Sequence, residues 1–369
     1  MSDAVIPLHA IRGRGAASRM PHRFEKDSRT AWDDGWGTLD EVAGKLPRTP
    51  SEVRFEDAKS AISRNDSPDI HFDYSVNPYR GCEHGCTYCF ARPTHSYLNL
   101  SPGLDFETQI IAKRNIAQVL RGELGRRSYV PRLLNIGSAT DCYQPVEREL
   151  RLTRGLIELM GQLRHPFSLV TKSSGVERDF DLIAPMAAQK LAAVYVTVTT
   201  LDGELARKLE PRAAAPYRRL RTIEALAAAG IPVGVSVAPQ IPFVNEDMEQ
   251  VLEAAWQAGA RSAFYTVVRL PWEVAPIFRE WLALHYPQRA DRIMARIQDM
   301  HGIADDARLR GKDYDSDFST RMKGSGIWAD LIRQRFEKAC GRMGFNRQRI
   351  ELDLSQFQAP EASGQARLF

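Results

Sequence analysis

The sequence predicts an α/β protein whose core is an incomplete, TIM-like (β/α)₆ barrel, and three observations support this fold class. Six short β-prone runs alternate with helical segments between residues 69 and 300. Such alternation is typical of parallel strands joined by right-handed crossovers. The chain carries no Gly-x-Gly-x-x-Gly loop, so a barrel is favoured over an open dinucleotide-binding sheet.

Each predicted strand is a short apolar run bounded by polar or turn-forming residues. The six runs cover residues 70–76, 133–137, 167–171, 193–198, 231–237 and 262–268. Helical periodicity predicts helices over residues 106–120, 147–163, 180–189, 217–229 and 247–258. Gly230 and Gly259 follow the last two of these helices, where glycine commonly ends a helix.

The parts of the chain outside the barrel are expected to be simpler. We predict an extended, basic and partly disordered arm over residues 1–68, a helical extension over residues 301–358, and a flexible tail over residues 359–369. The arm carries four arginines, Arg12, Arg14, Arg19 and Arg23, for which a nucleic-acid contact and a solvated tail are both open interpretations.

Composition restricts the partners and the cellular location that are expected for the protein. Lysine plus arginine number 50 and aspartate plus glutamate 46, so the net charge of +4 permits a polyanionic partner without requiring one. No apolar run of about 18 residues occurs, so no membrane span is expected. Five cysteines, mostly clustered, do not suggest a secreted disulfide scaffold, and a reducing, cytoplasmic location is predicted.

The segment 77–90 carries the strongest chemical signal, because it places Cys82, Cys86 and Cys89 in a C-x₃-C-x₂-C array. Three thiolates on one loop suit a soft metal centre. Structural zinc and an ordinary iron–sulfur cube each require four protein ligands, and only three occur locally. Three interpretations remain open: an iron–sulfur cluster with one unligated iron, a zinc site completed by His84, His95 or Cys142, or a redox or accidental cluster of thiols.

The segment C-E-H-G-C-T-Y-C-F resembles the cluster motif of the radical S-adenosylmethionine (SAM) enzymes, with Tyr88 at the aromatic position. That resemblance implies a [4Fe–4S] cluster held by the three cysteines, and SAM bound to the fourth iron. It further implies reductive cleavage of SAM to methionine and a 5′-deoxyadenosyl radical, with flavodoxin or ferredoxin as electron donor. The family's core is also a (β/α)₆ partial barrel, in agreement with the strand pattern.

Polar residues that follow the other predicted strands are candidates for SAM binding, because barrel enzymes place their chemistry at the carboxyl ends of strands. The candidates are Thr140, Asp141, Lys172, Thr197 and Thr199. Thr140 and Asp141 suit the ammonium group of SAM, and Lys172 suits its carboxylate. Each also has an ordinary interpretation as a turn former or helix cap. Arg212, in the loop after the fourth strand, could bind a phosphate or carboxylate of the substrate or pair with Glu210, and we favour the pair.

Within the superfamily the chain resembles spore photoproduct lyase and related radical SAM proteins. Ser138-Ala-Thr-Asp is similar to the lyase's C-T-S-D, which places Ser138 where the lyase carries its hydrogen-donating cysteine. A hydroxyl donates a hydrogen atom less readily than a thiol, so the resemblance does not extend to thymine-dimer reversal by that route. Cys142 is interpreted either as a radical relay or as a small buried apolar residue.

The last five residues, Gln365 to Phe369, resemble the pentapeptide by which bacterial repair proteins dock on the DNA sliding clamp. Gln365, Leu368 and Phe369 would make that contact, and a frayed terminus is the alternative. The leading hypothesis is a radical SAM enzyme, of lyase or transferase type, acting on a nucleic-acid base in DNA repair or nucleic-acid modification. The alternatives are a non-catalytic, metal-stabilised nucleic-acid adaptor and a radical SAM enzyme acting on a protein or small metabolite.

Overall fold

The structure is a computed structural model that describes residues 9–25, 49–302 and 312–360. Its strands are β1 (Glu52–Glu56), β2 (Ile62–Arg64), β3 (Tyr74–Val76), β4 (Tyr79–Arg80), β5 (Gln109–Lys113), β6 (Leu134–Ile136), β7 (Phe167–Thr171), β8 (Ala192–Thr197), β9 (Val233–Ser236) and β10 (Ser262–Phe264). Its α-helices are Leu104–Thr108, Ile116–Leu124, Glu147–Leu150, Leu152–Gln162, Phe180–Ala187, Gly203–Leu209, Pro216–Ala228, Met248–Gln257, Val274–His285, Ala290–His301 and Gly326–Met343. Three 3₁₀ segments cover Arg92–Leu98, Ser174–Asp179 and Leu354–Gln356.

The main sheet confirms the predicted barrel strands, although most are shorter than expected. Its order is β10-β9-β8-β7-β6-β3-β2, and all neighbouring pairs between β10 and β3 in this order are parallel. β2 is antiparallel to β3 at one end of the sheet. No pairing joins β2 to β10 in the described part of the chain, so the barrel is incomplete.

The core forms between this sheet and the helices that connect its strands. β9 is buried throughout, and β7 and β8 are buried almost throughout, as expected for parallel strands covered on both faces. The helix Leu152–Gln162 turns Leu156, Ile157 and Met160 into this core. Burial of each such side chain contributes about 1.5–3 kcal/mol. The connecting helices thereby fix the strand ends on which the site is built.

The predicted helix over residues 106–120 is wrong in its middle. Gln109–Lys113 is strand β5, which pairs in parallel with β1 and antiparallel with β4 in a separate three-stranded sheet. Ile110 and Ala112 are buried while the residues between and beside them are only partly buried, which is a two-residue period. The adjacent isoleucines Ile110 and Ile111 fit a helical period in the sequence, although they lie on opposite faces of this strand.

The predicted arm also requires correction. Residues 49–68 contain β1 and β2, so this part of the arm belongs to the two sheets. Residues 9–25 have no regular secondary structure, and Ala16 within them is buried. The tail residues Gln365, Leu368 and Phe369 lie outside the described residues, as does most of the predicted flexible tail.

The predicted C-terminal helical extension contains the helix Gly326–Met343, which packs on the helix Met248–Gln257. Beyond it, the Asn346 side chain accepts a hydrogen bond from the backbone N–H of Ala263 (2.9 Å) and donates one to its carbonyl (2.9 Å). The extension therefore satisfies the open edge of β10. Among the described helices, none combines the length and the apolarity needed to span a membrane.

Candidate active site

The three motif cysteines lie on one loop, residues 81–89, which we call the cysteine loop. The N–H of Cys82 donates to the carbonyl of Phe106 (2.9 Å), and the N–H of Thr87 donates to the carbonyl of Leu209 (3.1 Å). Leu209 ends the helix that follows β8, so the second bond ties the loop to a segment beyond the carboxyl end of that strand. The loop therefore lies on the side of the sheet where barrel enzymes carry their chemistry.

Two glycines allow the cysteine loop to turn tightly. Gly81 and Gly85 have φ angles of 80° and 69°, which side chains rarely adopt. A Cβ at Gly85 would lie 2.7 Å from the Glu107 carboxylate, and one at Gly81 would lie 2.9 Å from the Phe106 carbonyl. Both positions are thus restricted by backbone conformation and by space.

The thiols form a donor set that fits a cluster. All of them are free, and Cys82 and Cys86 are buried while Cys89 is half-buried. Burial raises the pKa of Cys82, and the charges of Asp141 and Cys86 add to that effect. Burial likewise raises the pKa of Cys86 to about 12, against the lowering effect of Lys172. A bound cationic metal reverses this logic, because a coordinating thiol is deprotonated by the metal.

The side chains that would complete a zinc site have other partners. His84 Nδ1 lies 3.2 Å from the Asp141 carboxylate, and His95 Nε2 lies 3.0 Å from the Gln109 carbonyl. Cys142 is fully buried in the main core. Across residues 9–25, 49–302 and 312–360, no three Cys, His, Asp or Glu side chains converge as they do around a single ion.

Asp141 ties together the ends of β6 and β7. Its carboxylate accepts hydrogen bonds from the Thr171 hydroxyl (2.8 Å), the Lys172 N–H (2.7 Å) and the Tyr143 N–H (2.9 Å). Burial opposes ionisation of Asp141, but His84 and these hydrogen bonds outweigh it and lower the pKa to about 2. The expected contact with the SAM ammonium remains a prediction, and the structure gives this carboxylate a positioning role as well.

Glu210 is a buried acid that sequence reasoning missed as part of the site. It accepts hydrogen bonds from the Tyr88 hydroxyl and from the Thr199 hydroxyl (2.6 Å), and it pairs with Arg219. Burial opposes its ionisation, but the charges of Arg219 and Lys172 and the two hydroxyls lower its pKa to about 2. The only signal in the sequence was an acid directly before a proline after the fourth strand.

The expected pair between Arg212 and Glu210 is wrong. Arg212 pairs instead with Glu83 (3.0 Å), inside the cysteine loop. Glu83 also accepts from the Ser51 hydroxyl (2.8 Å) and the Val146 N–H (2.7 Å). The buried Arg219 forms the ion pair with Glu210 because its helix points it inward. The spacing of these residues in the sequence does not reveal that orientation.

The remaining predicted SAM-binding residues gather beside the loop. The Lys172 ammonium lies 5.9 Å from the centre of the Tyr88 ring. Burial lowers the pKa of Lys172, but Cys86 and Glu210 outweigh that effect and raise it. The hydroxyl of the buried Thr140 lies 3.5 Å from the Tyr79 carbonyl, and Thr197 is buried at the end of β8.

A second layer behind the loop also went unpredicted. Arg92 donates from Nε to the Cys86 carbonyl (2.8 Å) and pairs with Glu107, and neither side chain is exposed. The Glu107 carboxylate also accepts from the N–H groups of Gly15 (2.9 Å) and Ala16 (2.8 Å). A Cβ at Gly15 would collide with the carbonyl of Gly85. Residues 9–25, which we call the arm segment, therefore lie directly on the cysteine loop.

The arginines of the arm segment mostly have partners in the protein. Arg14 donates to the Glu107 carbonyl (2.7 Å), Arg19 pairs with Asp105 (3.2 Å), and Arg23 pairs with Glu273 (2.8 Å). These bonds attach the segment to the core. The solvated-tail interpretation is therefore wrong for residues 14–23.

Comparison with known proteins identifies the family of the core and its fold. The model of the radical SAM superfamily matches residues 76–255. An uncharacterized protein of Mycobacterium tuberculosis is 39% identical over 238 residues, which cover 63% of this chain and 70% of that protein. An uncharacterized protein of Methanocaldococcus jannaschii is 25% identical over 215 residues, or 58% and 77% of the two chains.

Two solved structures share the fold at 15% sequence identity. A tyrosine-to-phenylalanine mutant of spore photoproduct lyase superposes with a TM-score of 0.53 over 81% of this chain and 84% of the other. Spore photoproduct lyase complexed with dinucleoside spore photoproduct gives 0.51 over 82% and 86%. These structures confirm the predicted partial barrel.

Proposed function

The chain belongs to the radical SAM superfamily, and on that premise we propose that Cys82, Cys86 and Cys89 hold its cluster and that it acts on a nucleic-acid base. Enzymes of this superfamily use a [4Fe–4S] cluster and SAM. When bound, these two groups supply radical chemistry that is started by one electron. The observation that carries the assignment is three free thiols on one glycine-turned loop, beside the carboxyl ends of parallel strands.

The residues around the loop have separable roles in this proposal. Lys172 provides a cation next to the cysteine loop, where it would pair with the carboxylate of SAM. Tyr88 and Thr199 are fixed by Glu210, so they would line the site in one orientation. Thr140, Asp141 and Thr197 are the other residues that would contact SAM.

Exclusion of water is the second task of the chain. The arm segment covers the outer side of the cysteine loop, and the buried pair of Arg92 and Glu107 closes the space between them. Radical reactions require such shielding because water and other molecules would intercept reactive species.

A nucleic-acid target is supported by two features. The chain has a net charge of +4, which permits a polyanionic partner. A neighbour in fold is described as complexed with a dinucleoside spore photoproduct. Ser138 stands in the segment Ser138-Ala-Thr-Asp, which resembles the lyase's C-T-S-D, so we propose a related base-directed reaction in DNA repair or modification with a different route of hydrogen return.

Anaerobic reconstitution tests the cofactor assignment. We expect about four irons and four sulfides per chain and reductive release of 5′-deoxyadenosine from SAM. Cys86→Ala should abolish both, whereas Cys340→Ala, which removes a thiol on the helix Gly326–Met343, should leave both unchanged. One zinc per chain without SAM cleavage would overturn the assignment in favour of a metal-stabilised adaptor.

A substrate screen tests the target. Damaged DNA, tRNA and fractionated cell extract are each added to the reconstituted enzyme with reduced flavodoxin or ferredoxin, and 5′-deoxyadenosine is measured. Stimulation by nucleic acid supports the proposal, and stimulation only by protein or small-molecule fractions refutes it. Pull-down by the DNA sliding clamp, compared with a variant in which Leu368 and Phe369 are both alanine, tests the proposed clamp contact separately.

A further inference from the structure

Three large aromatic side chains converge on one guanidinium at the surface. Phe24, Tyr97 and Trp272 are 49%, 68% and 62% exposed. The Arg23 guanidinium carbon lies 4.9, 5.5 and 4.3 Å from their ring centres, and the rings of Phe24 and Tyr97 are 5.2 Å apart. We call these four residues the aromatic patch.

The fold does not explain the aromatic patch. Its members come from three separate segments, and exposed aromatic residues gathered in this way mark an interaction site more often than isolated ones do. Trp272 has a φ angle of 48°, which is unfavourable for a bulky residue and is tolerated where a side chain must be presented in a fixed direction. The Glu273 carboxylate pairs with the Arg23 guanidinium at 2.8 Å and holds it in place.

Two stretches of chain link the aromatic patch to the candidate active site. Tyr97 is on the 3₁₀ segment Arg92–Leu98, which begins three residues after Cys89. Trp272 follows the last barrel strand, and Arg269 lies three residues before it, a distance of at most about 11 Å along the chain. The Arg269 guanidinium lies 4.8 Å from the ring centre of Phe90, the residue that follows Cys89.

Two ion pairs of the arm segment expose their arginines more than their carboxylates. In the pair of Arg19 and Asp105, the arginine side chain is 66% exposed and the aspartate 11%. In the pair of Arg23 and Glu273, the values are 26% and 8%. Both ion pairs thus present their cation to solvent and bury their carboxylate.

Arg269 adds a third cation beside the loop. Within the part of the chain that the structure describes, its guanidinium makes no hydrogen bond. Asp69, a carboxylate whose charge acts on Arg269, is already held by two nitrogens of the Arg321 guanidinium at 2.6 and 2.7 Å. A guanidinium in this state suits a phosphate, which accepts two parallel hydrogen bonds.

We propose that the aromatic patch stacks the unpaired bases of a single-stranded nucleic acid while Arg269 holds a backbone phosphate beside the cysteine loop. This inference rests on the proposed function and specifies the form in which the substrate is bound. Aromatic rings interleaved with arginine are the usual means of binding single strands, because every base has a face that stacks. A duplex presents no such faces, so a target base would be reached in a strand that is already open.

The test uses the reconstituted full-length enzyme and a fluorescein-labelled, mixed-sequence single-stranded oligonucleotide, with binding followed by anisotropy. We expect Tyr97→Ala and Trp272→Ala to weaken binding by about 5- to 100-fold each. Tyr97→Phe and Trp272→Phe, which keep a ring, should bind nearly as wild type. Arg269→Gln should reduce the slope of log affinity against log salt by about 0.7, the contribution of one phosphate on a single strand.

Tyr217→Ala is the matched control. Tyr217 is 64% exposed and has Arg221 5.8 Å from its ring centre, but it makes no contact with the aromatic patch. Its removal should leave binding unchanged. Iron content and circular dichroism establish that each variant is folded. If an alanine variant is unfolded, the corresponding phenylalanine variant still tests whether a ring at that position is sufficient for binding.

Each outcome has a distinct meaning. If the wild type binds no single strand, this inference is refuted, whereas the nucleic-acid target in the proposed function is decided separately by the substrate screen. If the wild type binds and all patch variants bind equally well, only the docking inference is refuted. If the patch variants bind nucleic acid normally but are reduced more slowly by flavodoxin, the patch is a protein interface and the inference is wrong.

Discussion

The substitution Glu107→Gln should destabilise the protein strongly, because this carboxylate joins three parts of the site. It pairs with Arg92, which in turn holds the Cys86 carbonyl, and it accepts from the N–H groups of Gly15 and Ala16. The amide of glutamine keeps one acceptor oxygen but turns two N–H donors towards groups that also donate. The Arg92 charge is then left buried without its counter-ion.

The magnitude follows from that geometry. Breaking a buried ion pair by removing one partner costs about 3–5 kcal/mol. With a urea dependence of about 3 kcal/mol per molar, the unfolding midpoint should fall by about 1–1.7 M. Glu158→Gln is the control, because Glu158 makes a half-exposed contact with Arg154 (3.2 Å), and such pairs contribute about 0–1 kcal/mol.

Two assays check this prediction. Urea denaturation followed by circular dichroism gives the midpoint, and brief trypsin digestion reports whether Arg19 in the arm segment becomes accessible before global unfolding. We expect early cleavage at Arg19 in Glu107→Gln and in Gly15→Ala, but not in Glu158→Gln. A midpoint for Glu107→Gln equal to that of the control, together with an uncut arm segment, would refute the proposed role of this carboxylate.

Three further predictions concern the loop and the strand ends. Gly85→Ala should lower iron content after reconstitution, because φ is 69° and the new Cβ would press on Glu107. The control Gly155→Ala lies in a helix with open space around it, so it should be neutral or stabilise the protein by up to about 1 kcal/mol. Iron analysis and thermal unfolding measure the two effects. The pKa of Asp141 is lowered from 3.8 to about 2, so its ionised form contributes stability that is complete above about pH 5 and is lost as the pH falls towards 2. The difference in unfolding free energy between wild type and Asp141→Asn should therefore be constant above about pH 5 and shrink below pH 4, and a constant difference down to pH 2 would contradict this. Lys172→Met should weaken SAM binding by about ten-fold or more without changing iron content, as measured by equilibrium dialysis, and unchanged affinity would remove Lys172 from the cofactor site.

The strand pattern and the cysteine spacing were predictable because both are local. β7, for example, is an uninterrupted β-prone run, and its observed bounds, Phe167–Thr171, coincide with the prediction. The motif cysteines fall within eight residues, so their proximity in space follows from their proximity in the chain. Neither inference required knowledge of distant contacts.

The supporting contacts were not predictable because they join residues far apart in sequence. Glu107 meets Gly15 across 92 positions, and neither residue has an unusual sequence neighbourhood. Strand β5 was mistaken for a helix because its pairing partner, β1, lies more than fifty residues earlier in the chain. Likewise, the choice between Arg212 and Arg219 as partner of Glu210 depends on helix orientation rather than on spacing.

The position of the arm segment has a consequence for how the enzyme is matured. Gly15 touches the backbone of Gly85 in the finished protein, so one face of the thiol-bearing loop is no longer open to iron donors. On the proposed assignment of the cluster to this loop, iron and sulfide would have to reach the thiols from another face of the loop, or before the N-terminal residues settle on it.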